Sequence, residues 1–281
     1  MKTKQNIIWL ASYPKSGNTW FRAFLTALLT EKELDINKMG TDGIFSDKGI
    51  FESTLDLNAD DIPFLQIDQM RKLLYGYLAM TSEKNLYIKI HDAYTFSDLD
   101  GSEIIPSAPT KLAIYIIRNP LDVSLSLANH VDKSIQKTID KFICKVEGSF
   151  GVKKVNSIAQ FYQPLGTWNQ HVESWLKCPG FPVHFIKYED MKDNPFETFK
   201  SALEVIGLHY TDEQIQHAIN QSTFEKLKNK ELESGFKERF NLKSTFFNQG
   251  KVGRWKTELT EEQIEQIREA NEPMMREFGY W

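Results

Sequence analysis

Residues 7–25 read IIWLASYPKSGNTWFRAFL. Ile7 to Ala11 is an apolar run without alternation, the pattern of a strand covered on both faces. It runs into Ser12-Tyr13-Pro14-Lys15-Ser16-Gly17-Asn18-Thr19. Beyond that, Trp20, Phe21, Phe24, Leu25, Leu28 and Leu29 recur at helical spacing. The stretch therefore predicts strand, tight turn, helix. A helix N-terminus presents unpaired backbone N–H groups and the positive end of the helix dipole. Gly17 lets the backbone approach an anion, Ser16 and Thr19 add hydroxyl donors, and Lys15 adds a full charge. The turn suits a phosphate group; the competing reading is an ordinary strand–helix turn capped by Ser16 and Asn18. It is not the usual nucleoside-triphosphate loop G-x-x-x-x-G-K-[ST], because Lys15 precedes the only glycine and no glycine opens the loop.

Two further strand ends carry chemistry. Leu112 to Ile117 is a second buried strand, ending at Arg118-Asn119-Pro120, with Pro120 suited to a first helical turn. Ligands of open α/β sheets bind beyond the carboxyl ends of the strands, so Arg118 is expected in the same crevice as Lys15, its fork of donors matched to a second phosphate. Leu86 to Ile90 alternates and predicts a strand ending at His91. Lys89 and His91 share one side of it, and a histidine is the natural general base near neutral pH. Asp92 beside it either orients substrate or faces water.

The rest of the chain continues this alternation. Residues 35–62 read as a long polar surface segment, a candidate lid. Ile67 to Ser82 predicts a helix with Asp68 as its N-cap. Residues 133–164 predict short helices and a loop. Trp168, Val172, Trp175 and Leu176 mark an amphipathic helix, Val183 to Tyr188 a strand, and 195–206 and 211–220 two more helices. Thr260 and Gln263 form a capping-box pattern ahead of a C-terminal helix. Short apolar strands alternating with helices predict one α/β domain over 1–281, a central parallel sheet flanked by helices.

Composition sets the outer bounds. The 281 residues carry 34 Lys+Arg and 38 Asp+Glu, a formal net charge of −4. A protein gripping a duplex through many phosphates usually shows a basic excess, so a nucleic-acid partner is not expected. Cys144 and Cys178 are the only cysteines, which gives neither a disulfide framework nor a metal-ligand spacing. Apolar runs reach about seven residues, far short of a membrane span of roughly 18–20. These features predict a cytoplasmic protein with reduced thiols.

The motifs together resemble the cytosolic-type sulfotransferase family, which is related to the P-loop kinases. YPKSGNTW (13–20) is similar to that family's Y-P-K-S-G-T-T-W loop, and RNPLDVSLS (118–126) to its 3′-phosphate motif. GKVGRWK (250–256) is similar to its C-terminal R-K-G-x-x-G-x-W-K segment; GTWNQHV (166–172) and YEDMK (188–192) also match family patterns. The resemblance implies the sulfuryl donor 3′-phosphoadenosine 5′-phosphosulfate (product 3′-phosphoadenosine 5′-phosphate), no metal, and a small-molecule acceptor bearing a hydroxyl or amine. It implies that Lys15, Ser16, Gly17, Asn18 and Thr19 hold the 5′-phosphate, that Trp20 stacks on adenine, and that Arg118 and Ser126 bind the 3′-phosphate. Tyr188, Ser222 and Phe224 would contact adenine. His91 would take the acceptor's proton, with Lys89 nearby and Lys15 assisting the leaving oxygen. Phe45, Tyr94 and His130 are candidates for the acceptor pocket.

The chain departs from that family at three places. Asn18 replaces a threonine. Asn248-Gln249-Gly250, which the resemblance places at the cofactor, stands where the family has Arg-Lys-Gly; either Lys251 or Arg254 compensates for the missing 3′-phosphate clamp, or cofactor affinity is weaker and less discriminating. The family's K-x-x-x-T-V-x-x-x-E dimer segment appears as Lys256, Thr260-Glu261 and Glu265, with a charge in place of the apolar residue, which predicts a monomer or weak dimer. Two rival functions are a kinase, which needs a Walker pattern and an acidic magnesium ligand, and a non-catalytic nucleotide-binding relative, against which Lys15 and His91 count.

Overall fold

Four strands form the centre, two of them (β1 and β3) almost wholly buried: β1 (Ile7–Ser12), β2 (Leu86–Ile90), β3 (Thr110–Ile117) and, after a two-stranded hairpin of β4 (Ser149–Phe150) and β5 (Gln163–Pro164), β6 (Val183–Lys187). The computed structural model describes residues 4–30, 33–41, 46–151, 160–177, 180–239 and 245–281. The sheet order is β2-β1-β3-β6, and every pairing is parallel. Ala11 pairs with Ile90, Ser12 with Ile116 and Ile117 with Lys187. The register thus brings Ser12, His91, Arg118 and Tyr188 out along one edge.

Strand side chains alternate faces, so each face of this sheet has its own core. Ile7, Trp9, Ala11, Ile88, Ile90, Tyr115 and Ile117 face one, packed with Tyr75, Trp168, Val172 and Trp175. Ile8, Leu10, Leu112, Ile114, Ile116 and Ile186 face the other, with Phe21, Phe24, Leu25 and Phe199. That two-sided cover explains the unbroken apolar runs of β1 and β3. Trp168 and Trp175 of the expected amphipathic helix are buried, and so is Phe161.

Helix α1 (Asn18–Thr30) follows β1 directly, and α2 (Lys48–Leu55), α3 (Phe64–Thr81) and α4 (Pro120–Val131) follow in chain order. Helices Trp168–Leu176, Asp212–Gln221 and Glu261–Glu277 each open with a capping box, from Thr167/Gln170, Thr211/Gln214 and Thr260/Gln263. Two expectations need correction. Residues 35–62 are not a bare surface segment: α2 and a 3-10 turn at Ala59–Asp61 lie within it, and Ile36, Phe51 and Ala59 are buried. Phe51 sits edge-on to Phe161, 5.0 Å between ring centroids, so scattered apolar anchors outweigh the polar composition. Helix α3 starts earlier than expected, after Pro63, with Asp68 inside it.

Candidate active site

The turn after β1 has the geometry that Lys15 and Gly17 require. Lys15 takes a left-handed φ of 68° and Gly17 one of 107°. A Cβ on Gly17 would lie 2.6 Å from Tyr188 Cδ2, so only glycine lets the loop close against that ring. Both Trp20 N and Phe21 N donate to Gly17 O, at 2.9 and 3.1 Å. The N–H groups ahead of them head α1 without an intrahelical acceptor. Ser16 is fully buried, yet its Oγ has no hydrogen-bond partner; the same holds for Arg118 Nε and Trp20 Nε1. Three orphaned donors around one loop mark a place for an acceptor-rich group.

Asn18 behaves differently from expectation. Its Nδ2 donates back to Leu10 O (2.7 Å) and Ser12 Oγ (3.3 Å). The amide ties α1 to β1, so its side-chain NH₂ is spent within the fold. Thr19 is buried beside it.

Arg118 brackets two loops. Its Nη1 donates to Lys15 O at 3.2 Å and its Nη2 to Lys251 O at 3.1 Å, while Cζ lies 4.2 Å from the Tyr188 ring centroid. The C-terminal loop is further pinned by Asp122 in the first turn of α4, whose carboxylate accepts from Gly253 N (2.7 Å) and Trp255 N (3.1 Å). Ser126 lies half-buried one turn on. Of the two proposed substitutes for the missing clamp, Arg254 is held by Glu258 in a two-pronged pair at 2.8 and 2.7 Å, whereas Lys251 is exposed. Lys228 Nζ donates to Asn248 O at 3.3 Å, a contact the sequence did not announce; Gln249 is exposed.

Trp20, Tyr188 and Phe224 surround the next part of the crevice. Trp20 and Tyr188 are edge-on with centroids 5.8 Å apart, and Lys192 Nζ lies 5.7 Å from Trp20 and 5.8 Å from Phe224. Gly250 is packed so closely on Phe224 that a Cβ would sit 2.5 Å from the ring. Ser222 does not join them: it is fully buried and its hydroxyl donates to Ala218 O at 2.9 Å, closing a helix end.

At the end of β2, His91 Nδ1 is 2.9 Å from Ser12 O. A carbonyl only accepts, so Nδ1 carries the proton and Nε2 keeps its lone pair. A second histidine fixes the backbone there: His171 Nε2 donates to His91 O (2.9 Å) while Tyr115 OH donates to His171 Nδ1 (2.7 Å). Burial, then the Lys89 charge, push the His91 imidazole well below its usual pKa, which keeps it neutral at pH 7. Asp92 neither orients substrate nor faces water. It is 1% exposed and pairs with the equally buried Arg71 at 2.8 Å.

Lys15 and Lys89 share a crowded positive field, and Lys89 acts on this histidine. Burial, then Lys89 and Arg118, lower Lys15 to about 7, and its Nζ lies 3.4 Å from the Phe246 ring centroid. Lys89 is also lowered, by burial first, with Glu238 opposing. Its Nζ donates to Glu238 Oε2 at 2.9 Å. His130 is edge-on to Phe246 at 5.8 Å, and burial, Lys15 and Lys89 lower it to about 3, which puts it within reach of both lysine charges. Tyr94 packs among Trp175, Phe96 and Phe181 and also lines a cavity with Val146, Pro164 and Leu165. Phe45 and Cys178 lie outside the described residues; Cys144 is half-buried, free, and pushed up to about 12 by burial.

The sequence reading missed Glu231, Glu238, Arg22 and Phe246. Glu231 is buried and accepts from Phe246 N (2.6 Å) and Phe247 N (2.8 Å), which holds Phe246 over Lys15. The Lys-rich composition of 226–243 gives neither carboxylate a local signal. Glu238 pairs across 149 positions with Lys89, and no local pattern announces that.

The sulfotransferase domain family matches residues 5–279. The chain belongs to that family. Flavonol 3-sulfotransferase of Flaveria bidentis is 27% identical over 95% of this chain and 80% of its own length. Cytosolic sulfotransferase 17 of Arabidopsis thaliana is 25% identical over 99% of the chain and 77% of its own. Among solved structures, mouse sulfotransferase SULT7A1 complexed with PAP superposes with a TM-score of 0.57 at 21% identity, covering 98% of this chain and 87% of that one. Retinol dehydratase complexed with androsterone and inactive cofactor PAP gives 0.61 at 18% identity, covering 97% and 81%. The structural likenesses show that this sulfotransferase shares their α/β fold. No helix among its described residues is long and apolar enough to cross a membrane.

Proposed function

We propose that this sulfotransferase transfers the sulfuryl group of 3′-phosphoadenosine 5′-phosphosulfate to a hydroxyl (alcohol or phenol) or amine of a small molecule. The observation that carries the reading is His91, kept neutral with Nδ1 spent on Ser12 O and its Nε2 lone pair unshared, at the strand edge that also holds Lys15 and Lys89. The crevice suits the donor: orphaned Ser16 Oγ and Arg118 Nε offer hydrogen bonds to phosphate oxygens, and Trp20 and Phe224 offer aromatic faces. PAP in the solved relatives and the cytosolic names of plant relatives support the donor and a cytoplasmic setting.

When bound, the donor supplies a sulfuryl group joined to a phosphate leaving oxygen. His91 Nε2 takes the acceptor's proton as the acceptor atom bonds to sulfur. Lys15 balances the charge left on phosphate as the bridging S–O bond breaks, and Lys89 faces the charge on the sulfuryl oxygens. No side chain becomes covalently attached; the protein positions groups and meets developing charge with fixed charge. Arg118, Ser126 and the exposed Lys251 are assigned to the 3′-phosphate. Asn18 and Ser222 act by shaping the loop and the helix end.

The test is incubation with labelled donor and an acceptor panel, scored by mass shift, alongside calorimetric titration with 3′-phosphoadenosine 5′-phosphate. The expected result is a sulfated acceptor and saturable product binding; no binding of either nucleotide overturns the assignment. His91→Ala is expected to lower turnover by about 10²–10⁴-fold with product affinity preserved. Unchanged turnover removes His91 from the chemistry.

A further inference from the structure

Glu238 belongs to none of the motifs, yet it sits against the transfer centre. Its segment is gripped by Asn37, whose Nδ2 donates to Gly235 O (3.1 Å) and whose Oδ1 accepts from Lys237 N (2.8 Å). Phe236 packs into a small core with Leu34, Ile36 and Leu227. The carboxylate is 19% exposed and divides its oxygens: Oε1 accepts from Arg22 Nη1 at 2.8 Å, Oε2 from Lys89 Nζ at 2.9 Å. Arg22 is 4% exposed and is itself fixed, its Nε donating to Thr41 Oγ1 at 3.1 Å.

We infer that Glu238 is a positioning residue for sulfuryl transfer, holding the Lys89 ammonium charged and aimed beside His91, with Arg22 fixing the carboxylate in place. The inference rests on the reading of Lys89 and His91 as the transfer centre. The physical argument is one of charge crowding. Lys89 shares its surroundings with Arg22 from α1, Lys15 from the turn after β1, His91 from its own strand end and His130 from α4. Burial disfavours an ammonium there, and the neighbouring cations disfavour it further. Glu238 is the carboxylate that pairs with it. Burial alone would raise that carboxyl; Lys89 and Arg22 outweigh it and hold Glu238 far below the usual carboxylate range, so the negative charge is present at every working pH. A neutral lysine at this place has nothing to offer the sulfuryl oxygens, so keeping it charged is a condition for its role.

Glu238→Gln keeps the shape and removes the charge. Two readings follow it: the titration of Lys89 by its side-chain ¹³C shift in the ligand-free protein, and the pH profile of kcat at saturating donor, where the bound phosphate keeps Lys15 protonated. In the variant, Lys89 is expected to titrate lower by about one pH unit or more. Both limbs of the profile are expected to move to lower pH, because loss of the anion favours neutral Lys89 on the basic side and neutral His91 on the acid side. The value at pH 9 relative to pH 7 is then expected to fall about tenfold. A uniform loss at all pH values with Lys89 titrating as before assigns Glu238 to packing alone and overturns the inference. The underlying reading fails separately: full turnover in both His91→Ala and Lys89→Met moves the transfer centre elsewhere, even if the Lys89 titration shifts.

Discussion

Lys15 shows how burial tunes one residue for its task. Its backbone is held in the left-handed region, and burial with two neighbouring cations lowers its ammonium to about 7. A dianionic phosphate restores the missing counter-charge, so product binding favours protonated Lys15. The affinity for 3′-phosphoadenosine 5′-phosphate is therefore expected to be flat below pH 7 and to weaken by up to about tenfold per pH unit above it. Lys15→Met is expected to flatten that dependence; isothermal titration across pH 6–9 checks both, and an unchanged slope in the variant removes Lys15 as its source. At this scale residue types were legible and directions were not. Asn18 promised a donor to phosphate and gives it to Leu10 O, and Asp92 promised a polar rim and lies under Arg71. Neither outcome is read from the residue type, because the partner in each case lies on another element.

The elements divide the work between a rigid edge and two added loops. β1, β2 and β3 end on one edge because their parallel register brings Ser12 beside His91 and Ile116, with Arg118 two residues further out. The loop at 250–256 reaches the edge only because Asp122 in α4 accepts its Gly253 and Trp255 amides, which in turn presents the Lys251 carbonyl to Arg118. Asp122→Ala releases two charge-assisted backbone bonds, each worth about 1.5–3 kcal/mol in a partly buried setting. Product affinity is expected to weaken by at least about tenfold, with kcat at saturating donor changed far less. Equal losses in both would instead place Asp122 in the chemical step. The sequence showed Asp122 as a helix first-turn acid, which is a common and unremarkable position; its partners lie more than 130 residues away.

For the whole molecule, a net charge of −4 surrounds a pocket of concentrated positive charge. Lys15, Lys89, Arg22 and Arg118 meet there, balanced in part by Glu238. The C-terminal segment that resembled a dimer motif is exposed at Lys256, Thr260, Glu261 and Glu265. Burying two copies of Glu261 against each other would cost desolvation and repulsion with little apolar area in return. Sedimentation equilibrium is therefore expected to give the monomer mass of 32.6 kDa across micromolar concentrations; a concentration-dependent doubling would refute this. The sequence by itself determined the sheet, the tight turn after β1 and the three strand ends, because apolar runs, glycine and helix-start residues act over a few positions. It also carried the family, through motifs in a shared order. Only the tertiary structure decided which polar groups face the crevice and which are consumed inside the fold. Glu238, Glu231 and Arg22 lie among the charged groups around Lys15 and Lys89, and the side chains of Asn18, Ser222 and Asp92 are consumed inside the fold. The reason is physical: a buried polar group must find its partner in space, and across this sheet that partner is commonly far away in the chain.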